Sequence, residues 1–321
     1  MTFPNLGTGR RGLVLVGLLL SLVAAWIAIS GADLRRTGAV VGRTDLRFLA
    51  AALAVIAVQV VVRAARWRIL LPASPRGRVP VRRIVPVTLV GYLGNAALPA
   101  RLGEAVRSVV LARREGLPVT ITLGSAIAER VMDTIVVAVL GGLAALIIGV
   151  DAWVIQAALI AIAGSLAALA ALAVMPRLLA RLGIASLAQV LEALRSVVRG
   201  ATAQGRSAIA TAAAISIVVW LFDATLYWLV ARSLGIELEP AGAMLVSAVA
   251  VLSTAIPSAP GYLGTFELAT VAAGAALGID RETGLALAIV AHAVAVVPLS
   301  LAGAVAVTAM GVDLRRPAVA G

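Results

Sequence analysis

The chain has 321 residues, of which 62% are apolar and 13% charged, with a mean hydropathy of +1.07 and a formal net charge of +12. Soluble domains are about 45–50% apolar and about 25% charged, so an ordinary soluble globule is excluded, and at about 20 apolar residues per bilayer span the chain has material for roughly six to eight membrane segments. Cysteine is absent, which removes disulfides, thiolate metal sites and a cysteine nucleophile.

The apolar runs are continuous, as in Leu13 to Ile29 and Ala157 to Met175, where the strands of a membrane barrel would alternate. The fold class expected is therefore an all-α polytopic membrane protein, a single integral membrane domain over residues 1–321. All 27 basic residues other than histidine are Arg, as in a GC-rich coding bias. The positive excess is read as orientation and attraction to anionic headgroups, with no nucleic-acid partner expected.

In chain order, the first span is Leu13 to Ser30, read as a retained helix because apolar runs continue to the end of the chain. The second covers Phe48 to Val62 and ends in Arg63, Arg66, Trp67 and Arg68; with Arg76 to Arg83 these are read as a basic belt at the cytoplasmic surface, from which Arg66 or Arg68 reaches an entering headgroup. Two short segments follow, Ile84 to Leu98 and Leu102 to Leu111, interrupted at Gly94-Asn95-Ala96-Ala97-Leu98-Pro99-Ala100-Arg101. At 1.5 Å per residue they reach about 15–23 Å, short of a hydrocarbon core of about 30 Å, and read as a re-entrant hairpin.

A long helix from Pro118 to Gly149 comes next, then a span at Trp153 to Met175, an Arg-bearing amphipathic stretch to Arg206, and a span at Ser207 to Ala231. A second interrupted pair, Ala241 to Ile256 and Tyr262 to Leu277, is broken at Pro257-Ser258-Ala259-Pro260-Gly261, and the last span is Thr283 to Met310. The order is helix, helix, broken hairpin, helix, twice over: six full spans and two hairpins in halves 10–150 and 151–315. Three crossings per half make the second half inverted, and paired interrupted segments in inverted halves point to a transporter's site at the midplane. With the N-terminus inside, cytoplasmic segments hold 18 Arg and 3 acidic residues against 6 Arg and 7 acidic residues outside, which places both termini in the cytoplasm.

Charges at membrane depth cost about 2.5–3.5 kcal/mol each on insertion scales, so each needs a partner or a cavity. The densest set is Glu129, Arg130 and Asp133 on the long helix, the two acids sharing a face at i,i+4. It reads either as a self-neutralised cluster or as one that also lines a substrate path. Arg101, Glu104 and Arg107 follow the first break, where unpaired helix-end N–H groups and guanidinium forks suit a phosphate; Arg107 reads alternatively as a snorkelling interface residue. Glu267 follows the second break, whose Pro257, Pro260, Gly261 and Gly264 open the backbone to a ligand or form a plain turn. Asp223 and His292, the one histidine, are read chiefly as interhelical hydrogen bonds, alternatively as proton carriers. No P-loop, His-Glu-x-x-His or nucleophile elbow occurs, so no enzyme activity, metal or cofactor is expected.

The stretch Gly94 to Arg107, the Glu129-Arg130-x-x-Asp133 cluster and Pro257 to Glu267 resemble, in order and over essentially the whole chain, the lysylphosphatidylglycerol synthase transmembrane region, the flippase-like membrane domain of the multiple peptide resistance factor. Tyr262 departs from relatives that carry a second Gly after Pro-Gly. The resemblance implies movement of a phospholipid or lipid-linked headgroup between leaflets of the cytoplasmic membrane of a bacterium. Its substrate-binding residues would be Arg66, Asn95, Arg101, Glu104, Arg107, Glu129, Arg130, Asp133, Pro257, Pro260, Gly261, Gly264 and Glu267. A phospholipid or a polyprenyl-phosphate-linked lipid is the expected partner, with a second copy of the chain or an envelope-synthesis enzyme as further partners. A non-transporting lipid-binding scaffold for such an enzyme, and a membrane-embedded transferase with Glu129 or Asp133 as base, stand as alternatives.

Overall fold

The computed structural model describes residues 8–98, 102–150, 156, 204–256 and 258–311. Among them the secondary structure is helical, with no β-strand. The helices are α1 Thr8–Ile29, α2 Leu34–Gly42, α3 Leu46–Leu70, α4 Val81–Ala97, α5 Gly103–Glu115, α6 Val119–Ile148, α7 Gly205–Ser233, α8 Pro240–Ser253, α9 Thr265–Ala275 and α10 Arg281–Ala309, with a 3-10 turn at Pro260–Tyr262.

Four of these, α3, α6, α7 and α10, are long and apolar enough to cross a membrane, and α1 with α2, bent by 83°, adds a fifth candidate. The outward surface is apolar to match: Trp26, Ile147 and Val305 are 70, 77 and 67% exposed, as suits lipid rather than water as the solvent. The chain is an all-helical, multi-pass membrane protein. Apart from Gln156, the expected span at Trp153 to Met175 lies outside the described residues, as does the amphipathic stretch after it up to residue 203.

Local chemistry sets the helix ends. Pro118 precedes the first turn of α6, and Gly149 closes it at φ 77°, its N–H donating to the Ala145 carbonyl, a left-handed cap that glycine takes without steric cost. Asp33 and Asp45 cap α2 and α3, their carboxylates accepting backbone N–H groups of the first turn. Two boundaries differ from the expectation. Helix α3 continues two turns past Val62, because Arg is a good helix former and a charge inside the protein need not mark a membrane edge. The first connection contains α2, which packs Val40 and Val41 on the main core.

The four short helices fall at the two interruptions. Helix α4 has 17 residues and α5 has 13; α8 has 14 and α9 has 11. At 1.5 Å per residue none exceeds about 26 Å, less than the hydrocarbon core. Within the first pair the backbones touch, since a Cβ on Gly94 would lie 2.7 Å from the Cα of Gly103.

Packing between elements follows one pattern twice. Helices α4 and α5 pack together and α5 packs on α6, as α8 packs on α9 and α9 on α10; across the molecule α4 meets α10, α6 meets α8, and α3 meets α7. Two of these crossings, α4 with α10 and α6 with α8, are made by glycine. A Cβ on Gly141 of α6 would lie 2.5 Å from Ala248 Cβ of α8, and one on Gly303 of α10 would collide with the Leu89 carbonyl of α4 and lie 2.8 Å from Leu93 Cβ. Small residues of this kind let membrane helices approach where no hydrophobic drive brings them together. The main core gathers side chains of α3, α7, α8, α9 and α10, including Tyr227 and Phe266.

Candidate functional site

Where the two broken segments meet, the interior holds a cavity of about 190 Å³. A Cβ on Gly261, in the second break, would come 3.7 Å from the Ala96 carbonyl at the end of α4. The volume is below the roughly 300–1,000 Å³ of pockets that take whole drug-sized ligands, and suits a headgroup better than a lipid.

One wall is a ladder of alternating charges. Arg130 Nη2 donates to Glu104 Oε1 at 2.5 Å, and Arg107 Nε to Glu104 Oε2 at 2.6 Å. Arg107 also donates to Glu129 Oε2 at 2.7 Å, while Arg66 takes the other Glu129 oxygen at 3.1–3.2 Å. Arg66 donates to both Asp133 oxygens, to Oδ2 at 3.0 Å, and to Ser216 Oγ at 2.7 Å. Arg63 ends the series, 3.8 Å from Asp133 Oδ2. Helices α3, α5, α6 and α7 supply these groups.

Apolar and aromatic surfaces hold the ladder in place. The Arg107 guanidinium lies 4.3 Å from the Trp67 ring centroid, and the Trp67 indole N–H donates to Ser125 Oγ at 2.9 Å. Arg63 lies over Trp220, 5.1 Å from the centroid, and the Trp220 N–H donates to Asp133 at 3.2 Å. Arg66 is 2% exposed, so the expected surface position for Arg66 and Trp67 is corrected: both are buried side chains of α3. A guanidinium so enclosed persists because two carboxylates meet its fork. Arg107 is likewise buried rather than snorkelling.

The ladder has four guanidinium groups and three carboxylates, and a fourth carboxylate, Asp223, lines the same cavity facing Arg63. Its ends are its loosest members. The Arg130 side chain is 37% exposed, and Arg63 Nε is buried without a hydrogen-bond partner. Nearby, Asp223 is held by neutral donors, Gln59 Nε2 at 3.3 Å and Ser247 Oγ at 2.8 Å. Asn95 lines the same cavity, and its Oδ1 also lacks a partner.

The second break forms the opposite wall. Gly261, Tyr262 and Gly264 have φ of 72°, 63° and 89°. Tyr262 is the one non-glycine at positive φ among the described residues, in a region that is costly for a bulky side chain. Three contacts secure the tip: Ala259 N–H donates to Ser21 Oγ of α1 at 2.7 Å, Gly264 N–H donates to Glu267 Oε2 at 2.6 Å, and His292 Nε2 meets the Gly261 carbonyl at 2.7 Å. His292 Nδ1 contacts the other Glu267 oxygen. Gly264 is pressed against α1, where a Cβ would come 2.9 Å from Ala25 N.

Of the sequence-derived candidates, Arg66, Asn95, Glu104, Arg107, Glu129, Arg130, Asp133 and Gly261 line the cavity. Pro260, Gly264 and Glu267 shape the tip behind it. Arg101 and Pro257 lie outside the described residues. Cavity residues that sequence reasoning left out of the site are Arg63, Trp220, Asp223 and His292; their signal was present as polar groups inside apolar runs. Among the described residues no group of three metal-ligating acidic or imidazole side chains comes together.

Comparison with known proteins gives two findings. The glycosyltransferase AglD of Haloferax volcanii is 27% identical over 331 aligned positions, covering 89% of this chain and 52% of that protein, so the chain spans about half the length of this relative. The family model of the lysylphosphatidylglycerol synthase TM region matches residues 14–303, nearly all of the polypeptide that carries the ladder, the cavity and both broken segments, and the chain belongs to that family.

Proposed function

We propose that the protein is a non-enzymatic, flippase-like lipid transporter that moves the headgroup of a phospholipid or polyprenyl-phosphate-linked lipid between the leaflets of the cytoplasmic membrane. The observation that carries this reading is the cavity between two broken helices, walled by a charge ladder whose end guanidinium groups keep unused donors. A phosphate diester takes those donors of Arg63 and Arg130 and leaves the inner pairs intact. Arg66 and Arg107, already bound by carboxylates, position those ends, and Asp223 offers an acceptor for an amine or hydroxyl. Arg101, at the first break, would meet the phosphate on entry.

Alternating access follows from the repeat. We read halves 10–150 and 151–315 as inverted copies, each with three crossings and a hairpin, termini inside, the first hairpin entering from the cytoplasm and the second from outside. Support comes from the doubled packing pattern and from equal registers. Arg130 and His292 are each the twelfth residue of α6 and α10, and Gly141 and Gly303 each the twenty-third. Interrupted helices in inverted halves are how many transporters build a midplane site.

The test is leaflet exchange of headgroup-labelled phosphatidylglycerol, phosphatidylethanolamine and polyprenyl phosphate in proteoliposomes. Arg63→Gln is expected to slow exchange at least about tenfold, the worth of one charge-assisted hydrogen bond. Unchanged exchange in Arg63→Gln removes the phosphate assignment. The similarity to a protein named a glycosyltransferase favours a second reading, a lipid-holding scaffold beside an envelope-synthesis enzyme. That reading predicts lipid binding with no time-dependent exchange.

A further inference from the structure

The tip of the second broken segment is fastened to α10 by a pair whose hydrogen count can be read from its geometry. His292 Nε2 lies 2.7 Å from the Gly261 carbonyl oxygen. A carbonyl oxygen only accepts, so that nitrogen carries a hydrogen. The other nitrogen, Nδ1, faces Glu267 Oε1. A lone pair on each atom would repel, so a second proton lies between them. It is held either as imidazolium beside carboxylate or as neutral imidazole beside carboxylic acid. Both arrangements contain the same number of protons, one more than neutral histidine with ionised glutamate. The Phe266 ring, 4.4 Å from the imidazole, packs against this proton-bearing pair.

We infer that Glu267 and His292 form a binding site for one exchangeable proton, whose uptake latches the second broken segment to α10 and whose release loosens it. With the proton in place, His292 of α10 holds Gly261 directly and also holds Glu267, the α9 residue whose carboxylate accepts the Gly264 N–H. Between the two glycines sits Tyr262 at φ 63°, a conformation that persists only where its surroundings enforce it. Without the proton, one imidazole nitrogen faces an oxygen with only a lone pair, so His292 keeps one of its two contacts and the grip weakens. The proton comes from water and returns to water through the cavity, which His292 lines.

The first segment shows what an unswitchable version looks like. Glu104, in the first turn of α5, is bound by Arg130, the residue of α6 in the same register as His292 in α10. Arginine does not release its proton in proteins, so that clamp has one state.

The other titratable groups around the pair are Tyr227 and Asp223 of α7, Tyr92 of α4 and Tyr262 of the tip. Across the cavity stand Arg63 and Arg66 of α3, Glu104 and Arg107 of α5, and Glu129, Arg130 and Asp133 of α6. Helices α8 and α9 present no titratable group beyond Glu267, and the described side chains of α1 present none. Among the described residues the ion-pair partner of Glu267 is His292 alone. In the transport reading, on which this step rests, the proton is the coupling ion for lipid movement.

Because the chain has one histidine, its imidazole nitrogens give one set of magnetic-resonance signals. The experiment uses the full chain in lipid nanodiscs, labelled with ¹⁵N-histidine, from about pH 5 to about pH 9, with backbone hydrogen exchange over 258–264 followed in parallel. The expected result is a proton on or shared by Nδ1 at the acid end, lost in one step that lowers tip protection about tenfold. Glu267→Gln is the decisive variant. Its amide oxygen still accepts the Gly264 N–H and its amide N–H reaches Nδ1, so it mimics the protonated latch. Its tip is expected to stay protected at every pH. A carboxylate with a merely structural role predicts a loosened tip instead, and that result overturns the inference. So does a wild-type Nδ1 that is bare throughout, with unchanged tip protection.

A second arm separates the two readings. In phosphatidylglycerol–phosphatidylethanolamine proteoliposomes, an imposed pH gradient is expected to change the wild-type exchange rate about tenfold and to leave any exchange by Glu267→Gln unaffected. Exchange indifferent to the gradient overturns coupling and keeps transport. No exchange of any lipid, with the tip still titrating, overturns transport and keeps the proton site.

Discussion

The two broken segments are closed by the same device and differ in the chemistry of one residue. In the first, Glu104 at the start of α5 lies between Arg130 and Arg107, within a ladder that runs on through Glu129, Arg66 and Asp133 to Arg63. In the second, Glu267 at the start of α9 has His292, a backbone N–H and neutral neighbours. The difference teaches how one frame carries two tasks. Permanent charges that share partners resist any single rearrangement, because moving one strands the next at low dielectric. A lone carboxyl–imidazole pair can be undone by one proton. On the proposed proton latch, the first broken segment is the one that holds its shape and the second the one that changes it.

The strongest test of that contrast is to remove the centre of the ladder. Arg66→Met leaves Glu129 and Asp133 each short of a partner, and breaking a buried ion pair from one side costs about 3–5 kcal/mol. Thermal unfolding in detergent should fall by many degrees. Asp223→Asn in α7, whose partners Gln59 and Ser247 are neutral, should cost only about 1 kcal/mol. Equal losses would erase the distinction between charge-bonded and neutral polar contacts.

Next in size are the two glycine crossings. Gly303→Ala drives a methyl into the Leu89 carbonyl of α4, a backbone atom that moves only with its helix, while Gly141→Ala meets the Cβ of Ala248. Overpacking costs about 1–3 kcal/mol, and Gly303→Ala should lie at the upper end, read as a lower unfolding temperature. Ala248→Gly should rescue Gly141→Ala in part, whereas no side-chain change on α4 relieves a collision with its backbone.

Exchanging the clamps moves a smaller quantity but decides more. His292→Arg supplies a guanidinium that keeps its charge, so hydrogen exchange at the second tip should no longer depend on pH beyond the intrinsic chemistry. Arg130→His should bring pH dependence to the start of α5, with protection there dropping as the imidazole deprotonates. If both variants behave like the wild type, the two registers are not equivalent.

How much of this was legible beforehand depends on range. The bounds of α6 were set by Pro118 and Gly149, both local signals, and the two interruptions by Gly, Asn and Pro within apolar runs. The i,i+4 acids pointed to the cavity from the helical period alone. Pairing was not legible: Arg66 meets acids 63 and 67 positions away, and nothing in one sequence links them. The run of Arg63, Arg66 and Arg68 reads as a membrane edge because exposed arginines mark one, and only burial of Arg66 and Trp67 shows α3 continuing inward. Helix α2 escaped notice because nine residues with two arginines lack a long apolar run. Glu267 and His292 were each visible as an oddity; their meeting requires the fold.

The smallest expected effect concerns how the two equivalent long helices begin. Helix α6 starts after Pro118, which offers no side-chain acceptor, and α10 starts at Asp280, whose carboxylate accepts the Thr283 N–H at 3.0 Å. The Thr283 hydroxyl, together with that backbone hydrogen bond, holds the exposed Asp280 carboxyl below its ordinary range. A group with a lowered folded value stabilises the fold above its unfolded value, about 3.9 for aspartate, and the contribution fades as pH falls through the lower folded value. Asp280→Ala should cost about 0.5–1 kcal/mol at neutral pH. Asp280→Asn caps nearly as well without a titratable proton, so its difference from wild type should shrink or reverse on acidification. Pro118→Ala at the start of α6 should show no such acid-dependent term, since no carboxylate is lost with it. A matching acid dependence there would mean that the two helix starts respond to some charge common to both halves, and that Asp280 is not what sets them apart.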